Sequence, residues 1–161
     1  MLRISLPLTA WLLLFLTSNP LTASFRFVEN GQAVPIVISP DSPGPIHRAA
    51  RDLASDIERV TGHAPDLLDR LPTSHQPYIL IGLHDDPLIS QRLSTAQSID
   101  TSSLAGEWES YSIAESESTS HPTPDLLIIG SDVRGAIFGI YEVSRRIGVS
   151  SWYWWADVPV I

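Results

Sequence analysis

Residues 124–161, PDLLIIGSDVRGAIFGIYEVSRRIGVSSWYWWADVPVI, decide how the whole chain is read. Leu126, Leu127, Ile128 and Ile129 form an unbroken apolar run between Pro124 and Gly130, the pattern of a strand covered on both faces. Gly130-Ser131-Asp132-Val133-Arg134-Gly135 then turns into a helix, which Ser131 or Asp132 can cap by accepting one of its free N–H groups. Ala136, Ile140, Val143 and Ile147 recur at helical spacing, with Glu142, Arg145 and Arg146 on other faces. Gly148 stops the helix where a left-handed residue is wanted. Gly135 and Gly139, one turn apart, each cost about 1 kcal/mol of helix propensity and allow a close approach to a sheet. Four consecutive aromatics, Trp152, Tyr153, Trp154 and Trp155, follow, and then Ala156-Asp157-Val158-Pro159.

Upstream, residues 25–29 suit a short strand, and Asn30-Gly31 is a two-residue turn signal. Val34, Ile36 and Ile38 alternate as in a strand. Residues 46–61 give the clearest helix. Pro45 suits its first turn, where a missing N–H costs nothing. Ile46, Ala49, Ala50, Leu53, Ile57 and Val60 make its apolar stripe, Arg48, Arg51, Asp52, Asp56, Glu58 and Arg59 its wet face, and Gly62 its stop. Residues 63–76 read as a linker, 78–82 as a second buried strand, 87–93 as a short helix, and 94–103 as polar loop. Residues 108–114 read as extended, and 115–124, ESESTSHPTP, as a mobile acidic and hydroxyl-rich loop. The architecture expected is α/β, a small mixed sheet with two long helices packed on it.

The length of 161 residues allows one domain. Residues 1–23 have the form of a secretory signal peptide: Arg3, the apolar run 11–16, the break at Pro20, and small residues near 22–24. The run is too short for a membrane span. The expected location is therefore secreted and extracellular, with residues 25–150 as the α/β domain. A formal charge of −8 without a basic cluster argues against a nucleic-acid partner, and no membrane partner is expected. Cysteine is absent, so the fold must be held by its core or by packing on more protein.

For chemistry, Gly130, Asp132, Arg134 and Gly135 outline a strand-to-helix turn that resembles a phosphate loop. It lacks dinucleotide spacing and the Lys-Ser/Thr of a P-loop, so a structural turn outweighs anion binding. His47, His63, His75, His84 and His121 are scattered; His84-Asp85-Asp86 after a strand could ligate an ion, but a solvated loop is favoured. No metal or cofactor is expected. Carboxylates are plentiful, yet no spacing singles out a hydrolytic pair. The cluster Trp152, Tyr153, Trp154, Trp155, with Asp157, is too large for one small core. It suits a sugar-stacking platform or a dock for another domain, docking being favoured.

Residues 130–160 resemble the end of the N-terminal domain of the xylan α-1,2-glucuronidases of glycoside hydrolase family 115. Ala49-Ala50-x-Asp52-Leu53-x-x-Asp56 with Val60-Thr61-Gly62, and Leu104-x-Gly106-x-Trp108-Glu109, are similar to the same family. The resemblance implies a leading α/β domain before a (β/α)8 barrel that carries the catalytic carboxylates, with residues 151–161 as the aromatic junction. No catalytic residue is then expected in this chain. Xylan-type polysaccharide would be met through the barrel, the domain's intramolecular partner, and 4-O-methyl-glucuronic acid removed by carboxylate acid/base hydrolysis. The competing expectations are a stand-alone carbohydrate-binding module and an inactive truncated product.

Overall fold

The computed structural model describes residues 24–95 and 99–150. The proposed signal segment and the aromatic junction both lie outside the described residues. A hairpin of β1 (Val28–Glu29) and β2 (Gln32–Ala33) precedes the main sheet. Its turn is made by Asn30 and Gly31, both at positive φ, as a tight two-residue hairpin requires.

The main sheet contains β3 (Ile36–Ile38), β4 (Leu67–Leu68), β5 (Ile79–Leu83), β6 (Tyr111–Ser116) and β7 (Asp125–Gly130), ordered β4-β3-β5-β7-β6. Only β6 runs antiparallel to its neighbour, so the sheet is mixed. Helices α1 (Gly44–Thr61), α2 (Pro87–Leu93) and α3 (Val133–Arg146) complete the fold. Period-two alternation divides the strands between two cores. Ile36, Ile38, Ile79, Ile81, Leu126 and Ile128 face α1 and α3 on one side. Val37, Leu80, Leu127 and Ile129 face Ile89 of α2 and Leu104 on the other. Both long helices thus share one face, and the short one covers the opposite face.

The sequence signals for α1 and α3 match the backbone. Pro45 sits in the first turn of α1, and Gly62 at φ 76° donates its N–H to the Glu58 carbonyl. Three details differ from expectation. The linker contains β4, a two-residue strand too short to leave a pattern, with Leu67 43% exposed on the sheet edge. The extended segment starts at Tyr111 and runs through Ser116, because the register with β7 carries it into the hydroxyl-rich stretch. Asp56, placed above on the wet face of α1, is only 4% exposed, because α3 packs beside α1.

The glycines of α3 mark where it meets the sheet. A Cβ on Gly135 would overlap the Ser110 carbonyl, and one on Gly139 would meet Ile128 Cγ2 at 2.9 Å and Tyr111 Cβ at 3.3 Å. Packing therefore outweighs propensity here. Gly135→Ala should lower the unfolding free energy by about 1–3 kcal/mol, as overpacking does. Gly44→Ala, at the start of α1 where no atom beyond its chain neighbours lies within 4 Å, should cost less than about 1 kcal/mol, the residual cost coming from Pro45 after it. Urea unfolding of the two variants checks the contrast.

Candidate functional site

Two clusters of polar side chains occupy opposite ends of the sheet. At the carboxyl end of β7, Gly130 has no room for a Cβ because the backbone of Ala136 fills that space. Asp132 caps α3: its Oδ1 accepts from the Gly135 N–H at 2.8 Å, and its Oδ2 accepts from the Glu109 N–H at 3.0 Å. Those two N–H groups, Glu109 first, hold the Asp132 carboxyl below its ordinary range. Ser131 N–H donates to the Ser110 carbonyl, and Ser110 N–H donates to Ser131 Oγ. Arg134 Nη1 lies 2.7 Å from Glu109 Oε1, and its guanidinium carbon is 5.9 Å from the Phe138 ring centre. The helix N-terminus is thus occupied by the chain's own carboxylate, which would oppose a phosphate there. Gly130, Asp132, Arg134 and Gly135 come together as one turn. Trp152, Tyr153, Trp154, Trp155 and Asp157 lie outside the described residues.

At the opposite end lies a buried charge network that no local pattern announces. Arg92 and Asp125 are both almost wholly buried. Arg92 Nε donates to Asp125 Oδ2 at 3.0 Å, and Nη2 lies 2.8 Å from the same oxygen. Nη2 also donates to the Ser116 and Glu117 carbonyls, and Nη1 to Thr95 Oγ1. Asp125 Oδ1 accepts the Tyr78 N–H and sits 3.4 Å from His121 Nε2. The His121 ring also meets the Thr123 carbonyl, and Thr123 Oγ1 donates to Glu29. The second half of the acidic loop is therefore pinned to the sheet rather than loose. The signal available was Asp125 itself, a lone charge opening an apolar strand.

This network floors an open cleft of about 240 Å³ whose rim includes Leu71, Pro72, Gln76 and Ser120. Burial pushes the Asp125 carboxyl above its usual range against the pull of Arg92, and pushes Tyr78 up to about 12. The donors of Arg92 are spent on internal acceptors, so the cluster is built as a clamp rather than as an acid/base pair. Of the other histidines, His84 donates its backbone N–H to the Gly130 carbonyl, while Asp86 caps α2. Among the described residues no group of three or more His, Asp or Glu side chains is arranged to hold a metal ion, and no helix is long and apolar enough to cross a membrane.

No protein-family profile matches the chain, and no curated protein matches it. Among solved structures it is similar to a family GH115 4-O-methyl-α-glucuronidase with specificity for decorated arabinogalactans. The two share 30% identity with a TM-score of 0.68, over 83% of this chain and 16% of that one. The chain therefore spans about a sixth of the length of that enzyme. The similarity supports a glycoside-hydrolase-related α/β domain.

Two stability predictions follow from the clamp and from Asp56. Asp125→Ala or Arg92→Ala leaves a buried charge without its partner and should cost about 3–5 kcal/mol, while the double variant should cost less than the sum. Urea unfolding in a double-mutant cycle checks this. Burial raises Asp56 as well as Asp125 above 3.8. A raised folded-state value means the contribution is fully present below 3.8 and lost as pH rises through the folded values. The urea midpoint should therefore rise as the pH is lowered from 7 through the folded values, and Asp56→Asn should shrink that rise. Below 3.8 the opposite sign takes over, because Asp132 is depressed and loses its contribution as it protonates.

Proposed function

We propose that this chain is the N-terminal, non-catalytic α/β domain of a secreted α-glucuronidase of glycoside hydrolase family 115. The observation that carries the reading is the 30% identity and TM-score of 0.68 over 83% of the chain, matched to only 16% of a far longer glycosidase. The motifs around Ala49-Ala50, Trp108-Glu109 and Arg134-Gly135 point the same way. Secretion is supported by the charged start and apolar run within residues 1–23. The catalytic carboxylates would lie on a (β/α)8 barrel packed against this domain, where a protonated acid and a carboxylate flank the scissile bond.

The group released would be 4-O-methyl-glucuronic acid. Xylan is the polymer suggested by the sequence motifs, whereas the similar enzyme's specificity is for decorated arabinogalactans, so both backbones belong in the test. A stand-alone carbohydrate-binding module is the second reading, favoured by the run Trp152, Tyr153, Trp154 and Trp155.

The purified 161-residue chain should release no 4-O-methyl-glucuronic acid from glucuronoxylan or from uronate-decorated arabinogalactan. Exchanging the corresponding segment of the family 115 enzyme for residues 25–150 should give a folded chimaera whose hydrolysis stays within about tenfold of the parent, because about 1.4 kcal/mol of lost barrier stabilisation is one decade. Uronic acid release by the chain alone would overturn the non-catalytic assignment. A soluble, folded but inactive chimaera would count against the family reading.

A further inference from the structure

We propose that the Glu115 carboxylate is a docking site for the chain's own amino terminus, the Ser24 ammonium formed when residues 1–23 are removed. The inference goes beyond the glycosidase assignment and rests only on the secretion reading above. A signal peptidase would add water across the Ala23–Ser24 peptide bond. That step leaves a carboxylate on Ala23 and an amine on Ser24, largely protonated at neutral pH.

The contact lies where the first residues of the domain meet the edge strand β6. Ser24 Oγ donates to Glu115 Oε1 at 3.4 Å, and the Phe25 N–H donates to Glu115 Oε2 at 3.1 Å. Both carboxylate oxygens thus face one short stretch of chain. The Ser24 nitrogen shares its Cα with that hydroxyl arm and precedes the Phe25 amide, so bond lengths keep it within about 4 Å of each donor. With the preceding peptide bond gone, rotation within Ser24 alone brings the ammonium to the carboxylate. The stretch behind it is anchored. Phe25 and Phe27 meet edge to face, 5.1 Å between ring centres, and pack against the core on the α1 and α3 side. Glu115 shares that face of β6, because Ile113, two residues before it, packs on the same core. The Phe27 carbonyl accepts the Val34 N–H, and Glu29 Oε1 accepts from Thr123 Oγ1.

Charge argues for an ammonium at this carboxylate, beyond the two neutral donors it already holds. Among the described residues, Glu115 makes no ion pair with an Arg or His side chain. It precedes Glu117 by two positions, on a chain of net charge −8. A charged donor makes a shorter and stronger bond to a carboxylate than a hydroxyl or an amide does. The sequence contains no Lys, so the terminal amine is the only primary amine in the chain, and its reactivity reports on this one contact.

Expression of the full chain, with its own residues 1–23, in a secreting host tests this. Intact mass and amino-terminal sequencing of the exported protein should give Ser24 as the first residue. The rate at which an N-hydroxysuccinimide acetate ester acylates that amine is then measured at pH 7. The folded chain should react about two- to fivefold more slowly than the chain unfolded in guanidinium chloride, the range a surface ion pair gives. Added salt should shrink the difference. Glu115→Gln keeps an acceptor for the Phe25 N–H but carries no charge, and it should bring the folded rate up to the unfolded one. Glu115 is exposed, so the urea midpoint of this variant should stay close to that of the wild type, and a changed rate is then not a loss of fold. Protection that survives Glu115→Gln is steric and sinks the docking, as does equal reactivity of the folded and unfolded chains. An exported chain that begins at any other residue also overturns it, while leaving secretion standing. A chain that stays in the cell with residues 1–23 attached removes the secretion reading and the docking together. The family assignment is read separately, by the hydrolysis of the chimaera.

Discussion

Helix α3 can lie on β6 and β7 only because its Gly135 presents no side chain to the Ser110 carbonyl, and much else depends on that contact. With Gly130 equally bare against Ala136, strand and helix join through a turn of two residues, Ser131 and Asp132. The short connection forces Asp132 to cap the helix, and the same carboxylate reaches across to the Glu109 N–H. One constraint thus ties β7, α3 and the segment entering β6 into a single unit. Two glycines in a 14-residue helix cost about 1 kcal/mol each in propensity, which the packed interface must offset.

The opposite end of β7 is held by different physics. Asp125 opens a strand whose six residues are all buried, and the guanidinium of Arg92 and the Tyr78 N–H, with His121 beside them, make that carboxylate tolerable. Arg92 also holds the carbonyls where β6 passes into the acidic loop. Strand β7 is therefore pinned by glycine packing at one end and by a charge clamp at the other. Hydrophobic burial supplies the drive between them, since Leu126 to Ile129 alternate into two separate cores.

What could be read from the sequence divides along the same line. Helices α1 and α3 and strands β5 and β7 were legible because each carries its own period and its own glycine or proline punctuation. β4 was not, since two residues on an edge leave no pattern and gain their strand character only from Ile36 and Val37. Asp56 was misread because helical spacing places it beside the apolar stripe without saying that a second helix will cover that flank. The Arg92–Asp125 pair joins residues 33 positions apart, and nothing local announces it. The α/β class, by contrast, needed only the alternation of elements. The turn at Gly130 to Gly135 was legible as a motif, but the reach of Asp132 to Glu109 depends on a register that only the folded sheet sets.

This division bears on which side chains remain for recognition. At the carboxyl end of the sheet, Ser110, Ser131 and Asp132 direct their polar atoms at one another and at the backbone, and they are committed to holding the fold. At the other end, Arg92, Asp125 and Thr123 are committed in the same way. Trp108 contributes almost no burial, while its carbonyl accepts from Ser110 Oγ and the N–H of its neighbour Glu109 is held by Asp132. Arg134 is half-committed, with one nitrogen on Glu109 and an exposed edge. The polar groups at both ends of β7 thus serve the joins between strand, helix and loop before they serve any chemistry.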